Sequence, residues 1–327
     1  MPKAIRLART GGPEVMEWRD FDPGPPGPGQ VRIANRAVGV NFIDVYHRTG
    51  LYPIPLPGGL GVEAAGIVEA VGAGVDEVRV GDRVAYGSGP PGSYADIHIM
   101  PAHRLVKLPD DIDDRAAATL MLKGLTAQYL VRRTHRVAAG ETLLLHAAAG
   151  AVGLIVLQWA KHLGATVIGT VGSDKKAEIA TAAGCDHVIV YTAEDFVGRV
   201  RDITDGAGVD VVYDSVGKDT FDGSLACLRP MGLMVSYGNA SGPVAPVAPL
   251  ELMQKGSLFL TRPTLQHYAA RRADLLDMAA ELFEVVGSGA VTIRVNQTYP
   301  LANAAQAHRD LEARRTTGAT VLLPDAS

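Results

Sequence analysis

Between Glu141 and Thr261 the chain alternates apolar runs with amphipathic segments, and few folds accommodate that alternation. The apolar runs are Leu143–His146, Thr166–Val171, His187–Tyr191, Val209–Asp214, Leu233–Gly238 and Ser257–Thr261. Between them lie Ala151–Leu163, Lys175–Ala183, Glu194–Thr204, Thr220–Leu228 and Leu250–Lys255, read as helices. In the first of these, Val152, Ile155, Val156, Trp159 and Leu163 recur at helical spacing. Strands that are apolar on both sides need cover on both faces, so the expectation is a parallel sheet between two layers of helix. Ligands of such sheets bind beyond the carboxyl ends of the strands. That gathers Gly172-Ser173, Asp214-Ser215-Val216-Gly217, Gly238-Asn239 and Thr261-Arg262 around one crevice.

The turn after the first run sharpens this. His146-Ala147-Ala148-Ala149-Gly150-Ala151-Val152-Gly153 carries the pattern A-x-G-x-x-G between a strand and a helix, the context a dinucleotide fingerprint requires. Gly150 lets the backbone approach a pyrophosphate, Gly153 lets the helix pack close to the strand, and the helix start offers N–H groups to the phosphates. At the end of the second strand, where NAD-binding units place an acid, stands Gly172. Ser173 and Lys176 can meet a 2′-phosphate there, and Tyr191 can stack or bond beside it. Lysines opening a helix are slightly unfavourable, so Lys175 and Lys176 ask for a negative partner. The reading is NADP rather than NAD, with Asp174 as the alternative partner for a free 2′-hydroxyl.

Composition narrows the setting. The 327 residues suffice for two domains, and a net charge of −4 gives no reason to expect nucleic acid or an anionic membrane as partner. Cys185 and Cys227 lie in different βα units without a C-x-x-C neighbour, which fits a reduced, cytoplasmic environment. The charged start MPKAIRLART reads as a first strand rather than a signal peptide, and no apolar run approaches the roughly 20 residues of a membrane span.

Before the alternating region, the short runs Ala4–Ala8, Val15–Arg19, Val31–Val38, Val62–Val71, Val80–Ala85 and Ser93–Ile99, with glycine and proline turns, predict a small β-barrel. Asn41–Arg48 reads as a short helix. Asp113 or Asp114 caps a helix from Arg115, and a second helix is expected from about Gly124-Leu125-Thr126. After Thr261 the expectations are helix Ala269–Val286, strand Val291–Val295, helix Ala302–Arg314 and strand Thr320–Leu323, which extend the sheet or return to the first domain.

Taken together, Asn41-Phe42-Ile43-Asp44, Gly61-Val62-Glu63-Ala64-Ala65-Gly66, Gly81-Asp82-Arg83-Val84, Lys123-Gly124-Leu125-Thr126-Ala127, His146 to Gly150, Val211 to Gly217 and Thr261-Arg262-Pro263 resemble the zeta-crystallin-type NADPH:quinone oxidoreductases. These form a zinc-free branch of the medium-chain dehydrogenase/reductase superfamily. The resemblance is collinear over essentially the whole chain. It implies a Rossmann doubly wound parallel sheet (124–262) inserted into a GroES-like β-barrel catalytic domain (1–123 and 263–327), and a homodimer or tetramer that pairs Rossmann edge strands. It places the dimer contact at Val244–Pro249, where proline alone would argue against edge pairing. It puts Asn41 and Tyr46 at the reacting centre, Ile43 and Tyr52 in the substrate slot, and Asn41, Thr126, Tyr129, Gly150, Ala151, Val152, Gly172, Ser173, Lys176, Tyr191, Ser215, Val216, Gly238, Asn239, Thr261 and Arg262 against the cofactor.

The superfamily's alcohol dehydrogenases hold zinc with cysteine and histidine. Here Asn41 and Val62 stand at those positions, and Arg83 to Lys107 contains no cysteine, so no metal is expected. Without a Lewis acid, an acceptor that is already electron-poor is the better substrate. That makes the leading function a soluble NADPH-dependent quinone reductase. A zinc-free alkenal or enoyl reductase is the alternative enzyme, and a structural or sensing cofactor-binding protein the alternative outside enzymes. Tyr46 either donates to a developing phenolate or packs beside the nicotinamide ribose.

Overall fold

The computed structural model describes residues 1–324. They form two compact units. One comprises Met1–Leu125, Ala269–Phe283 and the described residues from Ile293 onward; the other comprises Thr126–Tyr268 and Glu284–Thr292.

The second unit is built on a six-stranded sheet. Across it the strands run His187–Val190, Thr166–Val171, Thr142–His146, Val209–Asp214, Leu228–Ser236 and Phe259–Thr261, and every neighbouring pair is parallel. In chain order that is third, second, first, fourth, fifth, sixth: the doubly wound α/β arrangement, with its switch point between Thr142–His146 and Val209–Asp214. Helices Ala151–His162, Asp174–Ala182, Phe196–Ile203, Phe221–Cys227 and Pro249–Gln254 make the crossovers. The uniform apolarity of the strands follows from burial on both faces: Leu143, Leu144 and Leu145 have no exposed surface. Leu144, Ile168, Ile189, Val212 and Met234 line one face with Val200, Phe221 and Leu225 packed on it. Each such side chain contributes about 1.5–3 kcal/mol of burial.

The first unit carries a seven-stranded sheet. Its path is Val295–Pro300, Ala319–Leu323, Gln30–Gly39, Ala64–Val71, Arg83–Tyr86 and Val106–Lys107, with Ile97–Pro101 also on Gln30–Gly39. Strand Gln30–Gly39 is its hub, pairing with three others, and its pairing with Ala64–Val71 carries two register shifts. Such bulges increase local twist and help a sheet curl round a core. That core contains Val31, Ile33, Val68, Val84, Tyr86, Tyr94 and Leu322. A smaller sheet joins Glu17–Asp20, Lys3–Leu7 and Gly58–Gly59.

Some expected elements move. No second helix begins at Gly124; one helix runs Asp114–Tyr129, capped by Asp113 and continued by a π turn Leu130–Thr134. The expected strand Val15–Arg19 is a 3-10 turn, Pro13–Val15, followed by Glu17–Asp20. The strand expected at Ser93–Ile99 is Ile97–Pro101. The helix expected at Ala269–Val286 runs Arg272–Gly287, and a separate short helix, Leu265–Tyr268, precedes it; the Ala269 carbonyl between them accepts from Arg104 (2.9 Å). The strand expected at Val291–Val295 is Val295–Pro300 instead, its register set by pairing with Ala319–Leu323. The C-terminal strands therefore join the first sheet and do not extend the second.

Candidate functional site

In the second unit the candidate residues collect at the carboxyl ends of the strands. Thr142–His146 ends in a tight turn in which Ala147 adopts φ 54° and the Gly150 N–H donates to the Ala147 carbonyl (2.8 Å). Helix Ala151–His162 begins at once, and its N-cap, Gly150, offers no side chain to satisfy the first N–H groups. A Cβ on Gly150 would meet only Ala147, its carbonyl at 3.1 Å and its own Cβ at 3.9 Å. One on Gly153 would overlap the Ala147 carbonyl and lie 2.9 Å from that of Ala148. The two glycines thus do different things: Gly150 leaves room above the turn, and Gly153 lets helix and strand approach.

At the end of Thr166–Val171, Gly172 stands under the Tyr191 hydroxyl, which an added Cβ would approach to 2.9 Å. The room left by the missing side chain is thus partly taken by Tyr191. Ser173 is the exposed N-cap of helix Asp174–Ala182; Lys175 is exposed and Lys176 half-buried.

At the switch point, Asp214 is fully buried and uses both oxygens. Oδ1 accepts from the N–H groups of Val216 (2.8 Å) and Gly217 (3.0 Å). Oδ2 accepts from the hydroxyls of Thr220 (2.7 Å) and Ser224 (2.9 Å). His146 then bonds Ser224 through Nε2 (2.9 Å) and Thr170 through Nδ1 (2.8 Å). Burial pushes the His146 pKa down, against the pull of Asp214. This chain of groups holds the loop Ser215–Gly217 in shape, and His146 is a buried strand-end residue. The next loop is fastened to it: Ser241 N–H donates to Val216 O (2.8 Å), and Arg262 donates to the carbonyls of Ser236 (2.8 Å) and Gly238 (3.2 Å). The Asn239 amide is satisfied with its nitrogen at Gly238 O and its oxygen at Arg262. Gly150, Gly172, Ser215, Val216, Gly238, Asn239, Thr261 and Arg262 are thereby brought to one end of one sheet. Thr126 and Tyr129 lie in the last turn of helix Asp114–Tyr129, where the Tyr129 ring stacks on Tyr268 (centroids 4.7 Å apart).

In the first unit, Asn41 is the N-cap of helix Phe42–Thr49; its N–H donates to Asp44 Oδ2 (2.9 Å), and the Asp44 N–H donates to the Asn41 main-chain carbonyl (3.0 Å). Its amide nitrogen donates to Glu63 Oε2 (3.0 Å) and, at 3.4 Å, to the Gly39 carbonyl. Glu63 is also bonded by the Leu122 N–H (2.7 Å) and the Lys123 ammonium (2.5 Å). Ile43 is half-buried; Tyr46 is buried, its ring edge-on to Tyr52 at 5.1 Å. Beneath them Asp44 accepts from the Tyr94 hydroxyl (2.9 Å), which meets His308 Nε2 (3.0 Å), and burial pushes the Asp44 pKa up to about 7. Sequence reading named Glu63, Lys123 and Asp214 only inside motifs and gave none of them a role of its own. Charged residues inside apolar runs, as in Gly61-Val62-Glu63-Ala64-Ala65 and Leu120-Met121-Leu122-Lys123, are the signal that would have found the first two, because such groups are buried only when paired.

Zinc does not fit here. The Asn41 amide and the Glu63 carboxylate already have protein partners, Val62 is an apolar core residue, and among the described residues no three His, Cys, Asp or Glu side chains are grouped to hold a metal.

Comparison with known proteins places these features in a class. Residues 27–110 match the alcohol dehydrogenase GroES-like domain and residues 151–284 the zinc-binding dehydrogenase family, the pair of modules of the medium-chain dehydrogenase/reductase superfamily. The chain is 56% identical to a quinone oxidoreductase of Pseudomonas aeruginosa, over 99% of this chain and 100% of that one. It is 49% identical to a 2-haloacrylate reductase of a Burkholderia species, over the full length of both. The crystal structure of the Escherichia coli quinone oxidoreductase complexed with NADPH superimposes with a TM-score of 0.97 at 49% identity, covering 98% of this chain and 100% of that one. The chain belongs to the quinone oxidoreductase family of this superfamily.

Proposed function

We propose that this protein transfers reducing equivalents from NADPH to quinones without a metal. The observation that carries the reading is full-length likeness to quinone oxidoreductases, together with strand-end loops whose residue types suit NADPH. The uncapped start of helix Ala151–His162, with no side chain on Gly150, suits a pyrophosphate, which the N–H groups of Ala151 and Val152 would hold. Gly172, in place of an acid, together with Ser173, Lys176 and Tyr191, suits a 2′-phosphate. Ser215, Val216, Gly238, Asn239, Thr261 and Arg262 would line the remainder, with Thr126, Tyr129 and Asn41 toward the nicotinamide end. When bound, reduced nicotinamide supplies a hydride. Ile43, Tyr46 and Tyr52 would hold the acceptor flat, and Tyr46 would either donate a hydrogen bond to the developing phenolate or pack.

We assign residues 1–123 and 263–327 to the catalytic domain and 124–262 to the NADP-binding domain. No described helix is long and apolar enough to cross a membrane, and a cytoplasmic homodimer is the proposed state. Exposed Met231, Leu250, Met253, Phe259 and Leu260 cluster on and beside the edge strand Phe259–Thr261, which supports pairing there. Val244 and Val247 pack against their own core, so of the segment 244–249 mainly proline and alanine remain for a partner.

The test follows NADPH oxidation with benzoquinones, naphthoquinones, 2-alkenals and saturated aldehydes, with and without a chelator. Quinones are expected to exceed saturated aldehydes by orders of magnitude, with the chelator inert. The relative named for 2-haloacrylate reduction supports one second reading, reduction of an activated alkene. That reading takes over if alkenals or haloacrylates exceed every quinone in kcat/KM. Tight NADPH binding with no acceptor consumed would instead indicate a structural or sensing protein.

A further inference from the structure

Three facts meet at Asn41. Its side chain is nearly buried, both of its amide N–H groups point inward at Glu63 and Gly39, and Glu63 is itself fully buried against Lys123. A carboxylate beside an amide fixes which way round the amide sits, because only the nitrogen can face it. Gly39 keeps the space: a Cβ there would overlap the Glu63 carboxylate and the Ala118 carbonyl. A buried ion pair is weak evidence for stability, since desolvating two charges costs about what their attraction returns. This pair sits where its geometric effect is greatest, one hydrogen bond from a residue assigned to the reacting centre.

We propose that Glu63 and Lys123 are positioning residues that lock the Asn41 amide with its oxygen as the group a bound ligand meets. Asn41 then recognises a hydrogen-bond donor of the ligand, a hydroxyl or an amide N–H, and does not stabilise a developing oxyanion. This rests on Asn41 belonging to the NADPH and quinone site. Glu63 contributes through its second oxygen as well: held by the Leu122 N–H, the carboxylate cannot rotate.

The test is the double variant Glu63→Gln/Lys123→Met. It removes both charges together, so neither is left buried without its partner, the arrangement that costs most. A glutamine held by the Leu122 N–H through its oxygen turns its nitrogen toward Asn41. The Asn41 amide must then invert and present N–H groups to the ligand. Two donors facing each other lose one hydrogen bond and leave a group unsatisfied, so the Kd for NADPH, read by fluorescence titration, is expected to rise roughly tenfold or more. The melting temperature should stay within a few degrees of the parent. Parental Kd and kcat/KM in a folded double variant overturn the proposal, as does a lower melting temperature with unchanged Kd. Should the variant not fold, the parent itself decides. In nitrogen-15 spectra of the protein without NADPH, both carboxamide protons of Asn41 should be protected from exchange and remain so when NADPH is added. Free exchange before NADPH, or protection only after it, overturns the proposal. A parent that neither binds NADPH nor reduces quinones sinks the function proposed above and leaves this exchange measurement intact.

Discussion

At the scale of residues, the sharpest expectations concern charge. A hydrogen bond to a charged group contributes roughly 1.5–3 kcal/mol, about ten- to a hundredfold in affinity. Lys176→Ala should weaken NADPH toward the lower end of that range, because a half-buried lysine is screened by solvent, and leave NADH nearly untouched. Steady-state kcat/KM for both cofactors checks it, and equal losses would assign Lys176 to the fold. Gly172→Asp should turn the preference toward NADH further, at the cost of displacing the Tyr191 hydroxyl. Asp44 supplies a different test. Its folded pKa is raised to about 7, mainly by burial, from an ordinary 3.8. As pH rises from about 4 to 7 the unfolded chain gives up this proton and the folded chain keeps it, so Asp44 takes stability away over that window. His308, lowered to about 3 by burial and Arg48, acts in the opposite sense: its stability contribution is present above 6.5 and lost as pH falls. The two slopes oppose each other between about pH 4 and 6.5. Asp44→Asn should therefore gain up to about 4 kcal/mol at pH 8 relative to the parent and little at pH 4, at about 1.4 kcal/mol per pKa unit. Denaturant titrations at both values decide it, and a pH-independent difference would refute it. Gly172 and Lys176 were legible in the sequence, but the pairings of Asp44, His308 and Glu63 were not. Asp44 meets Tyr94 fifty residues away, Tyr94 in turn meets His308 another 214 residues on, and Glu63 meets Lys123 sixty residues away. The strand-end glycines were legible because their chemistry is local.

At the scale of elements, what could be read followed from burial. Parallel strands covered on both faces are bare apolar runs, and Thr166–Val171 and Val209–Asp214 stand where the sequence puts them. Gly124 misled for a physical reason. A glycine reads as a helix boundary, but here it lies mid-helix because Leu282 packs against it, 2.7 Å from where a Cβ would sit. Val295–Pro300 was displaced because its polar alternate residues hid a strand whose register comes from Ala319–Leu323. The close approach at Gly153 is testable. Gly153→Ala presses a methyl group onto the backbone carbonyls of Ala147 and Ala148, so the helix start must shift. A loss of about 1–3 kcal/mol in stability is expected from overpacking, together with a larger drop in NADPH affinity than in a Gly287→Ala control at an exposed helix end, where a methyl group meets nothing. Calorimetry and fluorescence titration together read the two effects, and parental binding with parental melting would show that the turn has slack.

At the scale of the whole molecule, the exposed apolar residues on the edge of the six-stranded sheet predict self-association. Phe259→Glu, placing a charge on that edge, should convert a dimer to a monomer in sedimentation at micromolar concentration. A parent already monomeric under those conditions would remove the proposal. The other sheet has a consequence for synthesis. Strand Gln30–Gly39 receives Ala319–Leu323 at Val38 and Gly39, so one of its partners is translated only after the entire parallel sheet. Domains fold as units while the chain emerges. During that interval the early barrel strands wait with an unpaired rim, and the nucleotide-binding unit can complete itself around local βα contacts. A ribosome stalled before Ala319 should therefore display a finished inner domain and an unfinished outer one, and chaperone capture should map to the hydrogen-bonding edge of Val38 and Gly39.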